Sequence, residues 1–186
     1  MDKTITDAGE GFKKNRRHTV MTTLEEMKGY ITVDATDFQK GYLQGREKNT
    51  YIVVHFEVIA DDVENFVTRP DHQGHLKGYI RCNQLWGKER TYEGTINLFT
   101  ATDNPWLKKL FYRLYFKDEQ ENQLTFYGIK ELSDYPFSSV LKDTQILYTK
   151  ILKGWVKPGE EESAPVFATG ILFLYIRNFI TYVVFN

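Results

Sequence analysis

One cysteine, five prolines and no surplus of charge of either sign define what this 186-residue chain is not. Cys82 has no second cysteine to pair with, so an internal disulfide and a cysteine-built zinc site are both excluded. A reducing compartment is permitted. With 24 Lys and Arg against 25 Asp and Glu, the net charge is −1. No basic excess is on hand for the phosphate contacts that release counterions, so nucleic acid is not expected as the principal partner. Long apolar runs are missing as well. The most apolar stretch, "FATGILFLYIRNFITYVVFN", is interrupted by Arg177 and Asn178, and neither part reaches the roughly 20 residues that a spanning helix needs. It reads as a buried strand followed by a short docked helix, and an integral membrane protein is not expected. The opening "MDKTITDAGEGFKKNRRHTV" has no apolar core of a secretory signal. These readings predict a flexible polar segment over 1–25, a single domain over 26–186 and a cytoplasmic location.

Catalytic signatures are also scarce. No G-x-S-x-G elbow occurs, "GEG" at Gly9–Gly11 lacks the third glycine of a dinucleotide fingerprint, and there is no P-loop. No cofactor is expected. The carboxylate pairs, Asp61 with Asp62 and the Glu160–Glu162 run, suit a helix start and an exposed loop. The metal-like set is "RPDHQGH", in which Asp71, His72 and His75 are the right ligand types for zinc or non-haem iron, with His55 as a further donor. Its Pro- and Gly-punctuated turn, with no rigid helix to present the ligands, fits surface polar residues better. Cys82, ending an apolar strand, reads as a packing residue.

Aromatic residues are plentiful: 12 Tyr and 13 Phe, which favour strands. Strand patterns recur over 28–33, 51–59, 76–82, 90–100, 109–117, 123–131, 144–152 and 166–176, separated by turn chemistry such as "TDNPW" and "KDEQENQ". Helical signals are short: "DDVENFVTRP", "SDYPFSSVLKD" and "RNFITYVVF". The predicted fold is mainly β. An antiparallel meander of about eight strands forms a closed or partly open barrel of lipocalin-like shape, with two or three short helices. A two-sheet sandwich is the alternative.

The segment "LFYRLYFKDEQENQLTFYGIKEL" poses the sharpest question. Leu110, Tyr112, Leu114 and Phe116 make one apolar face; Phe111, Arg113, Tyr115 and Lys117 make an amphipathic second face able to meet a covering element, a ligand or a partner. An eight-stranded barrel either fills itself with side chains or holds one small ligand. The candidate binding wall is Phe99, Trp106, Phe111, Tyr112, Leu114, Tyr115, Phe126 and Tyr127, with Arg113 as a carboxylate or phosphate partner.

Together "MKGYIT", "FVTRPDHQGHLKGYIRCNQLWGKERTYEGTINLF", the hairpin segment and "TQILYTKILKGWV" resemble an accessory domain. That domain stands before the catalytic part of some bacterial cholesterol-oxidase-like glucose–methanol–choline oxidoreductases and in some α/β-hydrolase fusions. The flavin fingerprint and the nucleophile elbow of those enzymes are missing here, so the resemblance implies the accessory domain alone, in the company of enzymes that act on sterols or lipids. The leading expectation is a non-catalytic module that binds a hydrophobic small molecule or docks on a lipid-modifying enzyme chain. A protein-interaction or homo-oligomerisation module is the second expectation, and a small metal-dependent enzyme the third.

Overall fold

In "YIVVHFEVIA", every second residue from Ile52 to Ala60 is buried, the signature of a strand with one face in a core. The same period organises the rest of the molecule. The computed structural model describes residues 19–69, 72–104, 106–133, 145–175 and 180–185. Among these residues ten strands and two helices follow one another as β1 (Thr19–Val33), α1 (Phe38–Glu47), β2 (Tyr51–Ala60), α2 (Val63–Thr68), β3 (Gln73–Cys82), β4 (Gly87–Arg90), β5 (Gly94–Ala101), β6 (Leu107–Lys117), β7 (Gln123–Ser133), β8 (Ile146–Lys153), β9 (Val166–Leu174) and β10 (Ile180–Phe185).

The strands pair antiparallel in the order β1-β2-β3-β5-β6-β7-β8-β9, and β9 pairs back onto β1, so eight strands close into a barrel. β4 adds a short flap to β3. β1 begins at Thr19, inside the segment expected to be polar and flexible. Its two halves use different partners along one edge: Met27–Val33 pairs with β9, and Thr19–Leu24 with β10. The stretch expected to hold a C-terminal helix therefore carries β10 over Ile180–Phe185. Its Ile, Thr and Val residues are β-branched, which favours the extended chain.

Both helices follow strand ends. α2 is the helix expected from "DDVENFVTRP"; its Phe66 is buried and reaches Gly74 at the start of β3, covering that end of the barrel. α1 is capped by Asp37, whose carboxylate accepts from the Lys40 amide at 2.8 Å. It lies on the outer face of β1 and β9. Gly41 and Gly45, one turn apart, set the helix directly on the backbone carbonyls of Thr169 and Ile31, and the Thr32 hydroxyl donates to the Gly41 carbonyl at 2.8 Å. A side chain at either glycine would collide with main chain. The expected helix in "SDYPFSSVLKD" falls almost wholly outside the described residues. Neither α1 nor α2 is long and apolar enough to cross a membrane.

Candidate functional site

The sequence left open whether the barrel interior is filled or holds a ligand, and side chains from opposite walls meet across it. Phe56 of β2 contacts Tyr112 of β6 and Phe126 of β7 at ring-centroid distances of 5.0 and 5.7 Å. Toward the α2 end, the Glu25 carboxylate of β1 accepts from the Lys130 ammonium of β7 at 2.8 Å and from the Tyr112 hydroxyl at 3.3 Å. The Lys130 ammonium also sits 4.9 Å from the Tyr112 ring centre. Burial, then the Glu25 charge, pushes the Tyr112 phenol well above its ordinary value, so it stays a hydrogen-bond donor. At the far end, Trp86 packs on Phe116 at 5.2 Å and on Phe167 at 6.4 Å. Of the expected wall, Tyr112, Leu114 and Phe126 thus belong to the packed interior.

The second face of the hairpin is covered by the chain's own β8–β9 connection, residues 154–165. Val156 from that connection packs on Tyr127 and Leu152, joined by Phe111, Ile129 and Ala164. Arg113 pairs through its Nε with Glu161, both buried, and donates from Nη1 to Asn97 at 2.8 Å. Its guanidinium also lies 5.7 and 5.6 Å from the Phe111 and Tyr127 ring centres. Arg113 therefore finds its carboxylate within the chain. Burial is the main cause that raises the Tyr127 phenol, helped by Glu161. Trp106 stands apart on the β5–β6 turn, 62% exposed. Phe99 lies on β5 at the register shift between Asn97 and Thr100, with its side chain outside the described part.

The metal-like residues take different partners. His72 has its Nδ1 2.9 Å from the Phe66 carbonyl, and His75 has its Nε2 3.2 Å from Asp61. Asp71 lies outside the described residues. Among the described residues no group of three or more His, Cys, Asp and Glu could hold a metal ion. Cys82 is buried in the core, and burial pushes its thiol up to about 11, so it is held as a thiol with little nucleophilic character.

His55 is on the outer face of β2, its Nε2 2.6 Å from the buried Glu26 carboxylate and its ring stacked on Tyr79 at 4.2 Å. Burial lowers its pKa below the ordinary 6.5, outweighing the pull of Glu26 in the other direction. A histidine depressed in the folded state contributes stability that is complete above the unfolded value and is lost as pH falls through 6.5 toward the folded one. Thermal midpoints measured across that window should fall with pH, and His55→Gln should flatten part of the slope. A histidine ring signal titrating above the ordinary value by NMR would contradict this assignment.

Among the described residues one surface cleft of about 440 Å³ is lined by Leu24, Glu25, His55, Phe56, Glu57, Gly78 and Tyr79. The more aromatic one is a cleft of about 430 Å³ lined by Tyr92, Glu93, Tyr115, Trp155 and Lys157. Its walls are two exposed rings, Tyr92 at 57% and Trp155 at 45%, whose centroids are 5.7 Å apart and tilted by 50°. Tyr115 is 6.1 Å from Trp155 and forms the floor. The backbone on both sides of Trp155 is pinned. Gly154 turns the chain in the left-handed region at φ 86°, donates to the Gln123 carbonyl at 2.8 Å and accepts from the Thr125 hydroxyl at 2.7 Å. The Val156 amide donates to the Thr125 hydroxyl oxygen at 2.9 Å, and the Val156 carbonyl accepts from the Tyr115 hydroxyl at 2.9 Å. Tyr92 is held from the other side by its amide donating to the Tyr115 carbonyl at 2.8 Å. The backbone that carries Trp155 is thus fixed on both sides of the residue. Of the nine expected ligand residues, the cleft takes only Tyr115. Tyr92 lay in the strand pattern over 90–100 and Trp155 just past the one over 144–152, and neither was among the expected ligand residues.

No protein-family model, no curated protein and no solved structure matches this chain.

Proposed function

We propose that this barrel is a binding module that takes a small, lipid-like molecule in the outer cleft formed by Tyr92, Tyr115 and Trp155. One observation carries this reading: two exposed aromatic rings project from backbone fixed by hydrogen bonds, around a concavity of about 430 Å³ with one acid and one lysine at its edge. That volume lies in the usual range for small-molecule sites, which pair apolar walls with a few polar groups. The packed lumen supports a site outside the barrel over one within it. The buried Cys82 and the internally paired Arg113 support binding over chemistry. A module of this kind beside a sterol- or lipid-modifying enzyme is what the sequence resemblance implies.

The test is a titration of the isotope-labelled chain with a soluble steroid and with a short-chain phosphatidylcholine below its micelle concentration, followed by NMR. Saturable shifts of the Trp155 indole N–H and of the Tyr92 and Tyr115 rings are expected with at least one of them. Trp155→Ala should abolish those shifts while Trp106→Ala leaves them intact. Shifts centred on Tyr112 and Phe126, or none at Trp155 with either probe, would overturn the proposal.

A further inference from the structure

Exposed aromatic rings set side by side offer π faces and edges to a ligand, and a π face attracts a cation with little hydration to lose. In this cleft Tyr92 and Trp155 are tilted by 50°, and Tyr115 and Trp155 by 48°. The cleft also has one charge of each sign on its rim, Glu93 and Lys157. Neither side chain is in an ion pair among the described residues, so both charges remain available to a ligand. The other lysine nearby is engaged: Lys117 pairs with Glu121 at 2.6 Å and lies 5.9 Å from the Tyr92 ring centre. The neighbouring acid Glu160 is engaged too, accepting from the Lys157 amide at 3.2 Å.

A purely apolar ligand would leave the two rim charges unused, and a simple cation would meet Lys157. A simple anion would meet Glu93 and gain nothing from the rings. The group that satisfies all of them is a zwitterion with a bulky, weakly hydrated cation close to an anion. From this charge complementarity we infer that the cleft recognises a phosphocholine group. The trimethylammonium lies against Trp155, Tyr92 and Tyr115 beside the Glu93 carboxylate, and the phosphate meets the Lys157 ammonium. This inference rests on the reading of the cleft as the lipid-binding site and specifies which part of the lipid it reads.

The probe is phosphocholine itself, without a tail, titrated into the full chain and followed at the Trp155 indole N–H, beside choline, phosphoethanolamine and inorganic phosphate. Phosphocholine should bind saturably. Phosphoethanolamine, whose ammonium is small and strongly hydrated, should bind about tenfold more weakly, and Trp155→Ala should cost about tenfold or more. Glu93→Gln should weaken choline and phosphocholine alike. Lys157→Gln should weaken phosphocholine alone, by about twofold to fivefold. Co-sedimentation with phosphatidylcholine vesicles, lost in Trp155→Ala, would assign the headgroup to a bilayer source; protein left in the supernatant would assign it to a dissolved ligand. A steroid that shifts Trp155 when phosphocholine does not would overturn this inference and leave the lipid-binding reading standing. So would a short-chain phosphatidylcholine that binds only through its tails. Equal binding of inorganic phosphate and phosphocholine would also overturn it. If no probe moves Trp155, both fall together.

Discussion

Replacing Lys130 by methionine (K130M) is expected to destabilise the barrel by about 3–5 kcal/mol, the usual cost of removing one member of a buried ion pair. The Lys130 side chain is 2% exposed and that of Glu25 10%, so the carboxylate left behind has little access to water. Its remaining partner is the Tyr112 hydroxyl, at 3.3 and 3.5 Å from its two oxygens. One neutral donor does not replace an ammonium at 2.8 Å. The double variant E25L/K130M removes both charges and should regain most of the loss, because two apolar side chains in a packed interior need no polar partner. Urea unfolding of the wild type, both single variants and the double variant gives the coupling directly. If K130M costs less than about 1 kcal/mol, the pair is hydrated and the lumen at that level is wet.

A similar loss, about 3–5 kcal/mol, is expected for Phe56→Ala. Phe56 is 2% exposed and its ring bridges Tyr112 and Phe126 from the opposite wall. Removing it leaves a void in the middle of the barrel that neighbours held by closed strand pairing cannot collapse into. The slope of the unfolding curve should stay as in the wild type, since the surface exposed on unfolding barely changes. A cost of about 1 kcal/mol or less would mean that the ring borders a lumen already open, and the interior would then return as a ligand site. The two variants test the same conclusion by different physics: one removes a charge partner, the other removes volume.

The barrel was largely legible in the sequence because strand alternation is local. "YIVVHFEVIA" and "LFYRLYFK" declare their inward faces without any knowledge of their neighbours, and the turn residues between runs set the meander. Closure by β9 on β1 is not local, and no residue in either strand announces it. α1 escaped because its sequence argues against a helix. Gly41 and Gly45 have low intrinsic helix propensity, yet they are what lets the helix rest on the carbonyls of Thr169 and Ile31. The C-terminal helix was expected from "RNFITYVVF", a short apolar run in which period alone does not separate helix from strand. Its β-branched content was the better guide to β10.

The candidate site was much less legible. The second face of the hairpin was recognised as amphipathic, and the sequence left open whether a covering element, a ligand or a partner met it. The structure divides it: Phe111, Arg113 and Tyr127 go under the β8–β9 connection, and Tyr115 faces the cleft. Arg113 and Glu161 are far apart in sequence, and nothing in either segment marks them as a pair. Tyr92, Tyr115 and Trp155 come from three different segments, and the barrel wall is what brings them together. Aromatic side chains in turns are common, and only the fixed backbone around Trp155 distinguishes this one.

The pairing of β1 with β9 and β10 has a kinetic consequence. Met27 meets Leu174 and Thr19 meets Phe185, so the contacts that close the ring join residues separated by most of the chain. Hairpins such as β6–β7 can form as soon as their residues exist, but the first strand must wait for the last ones. Contacts of such long range carry a large loop-closure entropy and place the molecule among slow folders. During synthesis β1 keeps one unpaired edge until the C-terminal strands arrive. Over that interval it is open to pairing with another copy of itself, a hazard set by the order of the strands and by no single residue.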